Sequence, residues 1–157
     1  MKYGSVPEYF YQLNNRSYFF LLPPVFVTAL TIYQTSDASR WALPGPVNAW
    51  FYGLLLGTVI LLLWVLMGSR SYMQKIRKQI SLGERIDQYA RLVFYRLGAG
   101  AMVGMVAPLF FYMSNDLRFA TFMLIFLLWT ARFWPGRRRL CDELKLTSSE
   151  QEVIMKR

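Results

Sequence analysis

The stretch WFYGLLLGTVILLLWVLMG (residues 50–68), the basic connector SRSYMQKIRKQISLGERIDQYAR (69–91) and the second apolar run LVFYRLGAGAMVGMVAPLFFY (92–112) decide the fold. The first run offers about 20 residues without a charge, the length an α-helix needs to cross a hydrocarbon core roughly 30 Å thick. Two such runs flanking a basic connector read as a helical hairpin that crosses a membrane twice. The connector itself keeps helical spacing: Tyr72, Met73, Ile76 and Ile80 recur at three- and four-residue intervals, with Lys75, Arg77 and Lys78 mostly elsewhere. The second helix of the chain is therefore expected to continue past Gly68, either standing up or bending there to lie on anionic lipid. Ser81 and Glu84 have capping-box spacing and Gly83 relieves a turn, so a third helix is expected to start there. Asp87 and Arg91, four apart, suit a helix-surface pair.

Working outward, residues 18–33 give a first span interrupted by Pro23 and Pro24, which remove backbone donors and predict a bend or restart. Before it, Ser5, Pro7 and Glu8 suit a short helix start, with Tyr9, Phe10, Tyr11 and Leu13 as an aromatic side fit for the headgroup layer. Ser36 and Ala38 after the apolar run raise a signal-peptide reading, but no compact basic leader precedes it and the segment is expected to be retained. Pro44, Gly45 and Pro46 force a loop, and Trp41 with Trp50, Phe51 and Tyr52 is expected to form an interfacial belt. On the far side, Ser114, Asn115 and Asp116 make a tight turn into a fourth span at 117–134. Pro135 and Gly136 then end it, and the tail 137–157 is expected to form one or two small surface helices, with Thr147 and Glu150 at capping spacing. The expected fold is all-α: a single polytopic domain over 1–157, with spans at about 18–33, 49–68, 92–113 and 117–134 and a helical cytoplasmic hairpin between spans two and three.

Composition fits this reading and excludes chemistry. Hydrophobic residues make up 55 % of the 157 and aromatic residues 17 %, above the soluble balance. No histidine is present, so imidazole bases, histidine-held haem and histidine zinc sites are excluded. The lone cysteine, Cys141, permits no intrachain disulfide and no thiolate cluster; as a palmitoylation site it is a weak signal. The methionines, Met102, Met105, Met113 and Met123 among them, read as apolar filling. No cofactor, metal or catalytic residue is expected, and the chain is not read as an enzyme.

The net charge of +9 is explained by position. With the connectors after spans one and three outside, only Arg40 and Arg118 lie there, and every other Lys and Arg falls on the opposite side. Both termini are then expected in the cytoplasm, and nucleic acid is not needed as a partner. Arg96 is the one charge well inside a proposed span. About one turn from the cytoplasmic end, it is expected to snorkel to lipid phosphates, a role lysine could also fill. Arg137, Arg138 and Arg139, just beyond the last span, are the other headgroup candidates. Gly53 with Gly57 and Gly100 with Gly104 are small pairs four apart that admit close helix packing. They lie at different depths of antiparallel spans, so each is expected to face a different helix. Pro108 is expected to bend the third span.

The segments GERIDQYARL (83–92), WPGRRRLCDELKL (134–146) and SSEQEVI (148–154) resemble uncharacterised small four-span membrane proteins of Bacteroidetes-type bacteria. The resemblance implies a bacterial inner-membrane setting and brings no site residues. The functional expectation is an accessory or scaffolding component of a membrane complex, with membrane lipid and other membrane proteins as partners. The alternative is a small transporter or channel built by homo-oligomerisation.

Overall fold

A computed structural model describes residues 6–34, 45–79 and 81–155. The described chain is helical: α1 (Val6–Gln34), α2 (Val47–Arg77), α3 (Leu82–Ser114), a 3-10 turn (Leu117–Phe119), α4 (Ala120–Phe133), α5 (Arg137–Leu144) and α6 (Ser148–Met155). By length and composition α1, α2 and α3 can each cross a membrane. The segment Leu117–Phe133 makes a fourth candidate span only when joined to α5, from which it is bent by 75°. Alone it reaches about 25 Å, the short end of the spanning range.

The hub is α3. In its most apolar window 44 % of residues are buried, against 17 % in α1 and 11 % in α2. Among the described residues the most extensive helix packing is that of α1, α4 and α2 against it. Small residues at Ala99, Gly100, Ala101, Gly104 and Ala107 let neighbours approach closely on several sides of this helix.

Two buried clusters lie along that hub. In one, Tyr9, Phe10 and Leu13 of α1 meet Met73 and Ile76 of α2, Tyr89 and Val93 of α3, and Leu140 and Leu144 of α5. In the other, Phe119 and Phe122 pack with Val103 and Ala107, and the Phe51 ring meets them edge-on at 5.8 and 5.7 Å. The first cluster shows where the basic connector goes. The helix is unbroken at Gly68: α2 runs on to Arg77, and its Met73 and Ile76 are buried against the chain.

Several local expectations need correcting. The amphipathic N-terminal stretch is part of α1 and not a separate short helix. Nothing between Leu13 and Tyr18 breaks the helix, and the Ser17 hydroxyl, donating to the Leu13 carbonyl at 2.8 Å, satisfies itself within the turn. Tyr9, Phe10 and Leu13 are core residues, and the Tyr9 hydroxyl donates to the Ile86 carbonyl at 2.9 Å, while Tyr11 stays exposed. Of the two outcomes expected at Pro23 and Pro24, a restart does not occur, since α1 runs through both. Asp87–Arg91 is not among the ion pairs of the described residues, which join Arg85 to Glu150, Arg96 to Glu143 and Arg118 to Asp116. Ser81 stands at the α3 N-cap without a side-chain capping bond. Ser5, Ser36, Ala38 and Trp41 lie outside the described residues.

Other turns form as their residues require. Asn115 takes the left-handed conformation (φ 54°) that an asparagine tolerates, and its N–H returns to the Phe111 carbonyl at 2.7 Å. Asp116 then accepts from the Arg118 N–H at 2.9 Å, and its bonds with Arg118 hold its carboxyl below the ordinary range. At α6, Glu150 reaches back to the Thr147 N–H at 2.9 Å, one half of a capping box. That bond and the Arg85 pairing, acting against desolvation, keep the Glu150 carboxyl low.

Candidate functional site

Arg96 is the charged centre of the molecule, and it does not snorkel. It is buried, with 7 % of its surface exposed, and its side chain turns into the protein. Its Nε donates to Ser69 Oγ at 3.1 Å and its Nη1 to Glu143 Oε2 at 2.7 Å. The guanidinium lies 4.9 Å from the Phe133 ring centroid, and the Arg96 carbonyl accepts from Trp129 Nε1 at 2.7 Å. Three helices, α2, α4 and α5, thus converge on one residue of α3.

The residues that bring Glu143 there are Trp134, Pro135 and Gly136. Proline cannot continue α4 and disfavours helical geometry at the residue before it, so Trp134 is extended (φ −59°, ψ 131°). Gly136 is extended as well, and α5 sets off at 75° to α4. Leu140, Cys141 and Leu144 bury one face of α5 in the core, which leaves Glu143 to one side, toward Arg96. Arg77 secures the same turn from α2: its Nε and Nη2 donate to the Glu143 carbonyl at 2.9 and 2.6 Å.

Beside this knot lies a cleft of about 580 Å³ whose polar lining is Ser69, Arg70, Gln74, Arg77, Arg132 and the Arg96–Glu143 pair. Leu66, Met73, Trp129 and Phe133 form its apolar walls. A second, of about 720 Å³, shares Arg77, Arg132 and Glu143 and adds Arg138, Arg139 and Asp142. Of the tail arginines, Arg139 donates to the Trp134 carbonyl at 3.1 Å, Arg137 sits 5.7 Å from the Phe10 ring centroid, and Arg138 is exposed.

The two glycine pairs part company. A Cβ on Gly100 would stand 2.6 Å from Trp129 Cδ1, and one on Gly104 would stand 2.7 Å from Phe126 Cγ, so both fit against α4. A Cβ on Gly53 or Gly57 would meet nothing within 4 Å. Those two border a shallow apolar groove of about 190 Å³ between α2 and α3, with Leu54, Leu61, Met102 and Val106.

No family model, curated protein or solved structure matches this chain.

Ser69, Arg77, Trp129 and Glu143 are site residues that sequence reasoning missed. Glu143 carried a faint signal, as one of two adjacent acids, with Asp142, close behind Arg137, Arg138 and Arg139. Its partner became visible only with the turn at Pro135.

Proposed function

We propose that this chain is a multi-pass membrane protein that acts through helix packing, as an accessory or scaffolding component of a membrane complex. The observation that carries the reading is the open face of α2. Its glycine pair is unfilled, whereas the equivalent pair on α3 is filled by two aromatic side chains of the same chain. Small residues at helix interfaces let backbones approach closely in lipid, and Gly53 and Gly57 offer that approach to a transmembrane helix of another protein. A Gly53→Ile/Gly57→Ile variant, purified in mild detergent, should keep its thermal stability and lose its co-purifying membrane partner. A partner retained at wild-type level, or a wild-type protein found only as a homo-oligomer, would sink the scaffold reading.

The setting proposed is a bacterial inner membrane, crossed four times with both ends in the cytoplasm. The support is the one-sided distribution of Lys and Arg together with the resemblance of the tail segments. In a Cys141→Ser background, Asn115→Cys should react with an impermeant maleimide on intact cells. Ser148→Cys should react only after the membrane is opened, and the reverse pattern would invert the topology.

A further inference from the structure

We propose that the adjoining clefts between α2, α4 and α5 form a binding site for a phosphate oxyanion carried on an organic group. Six arginines line the two clefts, Arg70, Arg77, Arg96, Arg132, Arg138 and Arg139, against two acids, Asp142 and Glu143. Much of that charge is not neutralised by the protein. Glu143 is committed to Arg96, and Arg77 bonds the Glu143 main chain, where it gains no counter-charge. Among the described residues Arg70 and Arg132 have no hydrogen-bond or ion-pair partner, and both are exposed at the cleft.

Such an arrangement suits a ligand better than diffuse attraction to a surface. The positive-inside bias accepts Lys and Arg alike, but the cationic lining here is arginine throughout, while Lys75, Lys78 and Lys145 stay outside it. Arginine's planar fork matches two phosphate oxygens at once, which an ammonium cannot do. The first cleft, about 580 Å³, has the size of a small-molecule site, and its apolar walls can take the carbon next to the phosphate. Arg96 serves as a positioning residue: held by Ser69 and the Phe133 ring, it engages Glu143, the carboxylate common to both clefts, and so leaves Arg70 and Arg132 without a counter-charge. The same phosphate chemistry is found on an anionic phospholipid headgroup and on a soluble phosphate compound.

The full-length protein in an uncharged detergent or in nanodiscs separates the two sources. Saturable binding of inorganic pyrophosphate by calorimetry would point to the soluble source. Retention of phosphatidylglycerol over phosphatidylcholine, seen by native mass spectrometry without pyrophosphate binding, would point to the headgroup. In either case Arg70→Gln/Arg132→Gln should weaken binding at least tenfold, and Arg70→Lys/Arg132→Lys should recover only part of the loss. The charge-matched control Arg16→Gln/Arg91→Gln, at exposed positions outside both clefts, should change binding less than twofold. The thermal stability of each unliganded variant shows whether it is folded, and single Arg70→Gln serves if the double variant is not. Equal weakening by the two double variants, or no saturable binding of either probe, overturns the proposal.

Discussion

Gly104→Ile should lower the thermal stability of the monomer far more than Gly53→Ile or Gly57→Ile. The Cβ alone would lie 2.7 Å from Phe126 Cγ, and that atom cannot swing away cheaply because it sits at the root of a ring that is 1 % exposed. Either α4 must move off α3, or Phe126 must leave its packed position. Overpacking of this kind costs on the order of 1–3 kcal/mol, and the full isoleucine belongs at the upper end. Gly104→Ala should already show part of the loss. Gly57→Ala is the informative comparison, since nothing stands within 4 Å of the new methyl group and alanine is the better helix former by about 0.5–1 kcal/mol. Thermal unfolding in detergent should therefore move the two alanine variants in opposite directions, or leave Gly57→Ala unchanged. A Gly104→Ile protein as stable as wild type would mean that α3 and α4 do not pack through this glycine.

How much of this was legible depended on whether the signal was local. The apolar runs made α2 and α3 readable, because about 20 uncharged residues in succession have few other uses. The connector's three- and four-residue spacing showed a helix continuing past Gly68, but what its apolar side would bury against was not readable. The answer includes Leu140 and Leu144 of α5, three α-helices further along the chain and turned back by Pro135. Tyr9, Phe10 and Leu13 fail for the same reason. An amphipathic aromatic face looks identical whether lipid headgroups or a protein core will cover it, and only the tertiary fold chose the core. The glycine pairs were equally visible in the sequence, yet Phe126 and Trp129 of α4 face one pair and nothing faces the other. Spacing reports that a helix has a close-packing face; it does not report whether the same chain supplies the neighbour.

Arg96→Lys separates a lipid anchor from a structural centre. An arginine that snorkels needs only reach and charge, so lysine would replace it with little loss. In the structure Arg96 bonds in two directions at once, Nε to Ser69 and Nη1 to Glu143, with the guanidinium near the Phe133 ring. A single ammonium cannot reproduce both directions, so Lys should be clearly less stable than wild type. Arg96→Met should be worse, because Glu143 would keep its charge in a partly dehydrated site. Removing one partner of a fully buried pair costs about 3–5 kcal/mol, and because the Glu143 side chain is 23 % exposed we expect a smaller loss, about 2–3 kcal/mol. Glu143→Gln should cost less than Arg96→Met, since the amide oxygen can still accept from Nη1, and Arg77 holds the main chain independently of the side chain. The double variant Arg96→Met/Glu143→Gln should fall well short of the sum of the two single losses, because no charge is then left unpaired at the site. Additive losses would mean that the two residues do not interact in the folded protein. A lysine variant as stable as wild type would restore the snorkelling account and detach α5 from the charge that the structure places beneath it.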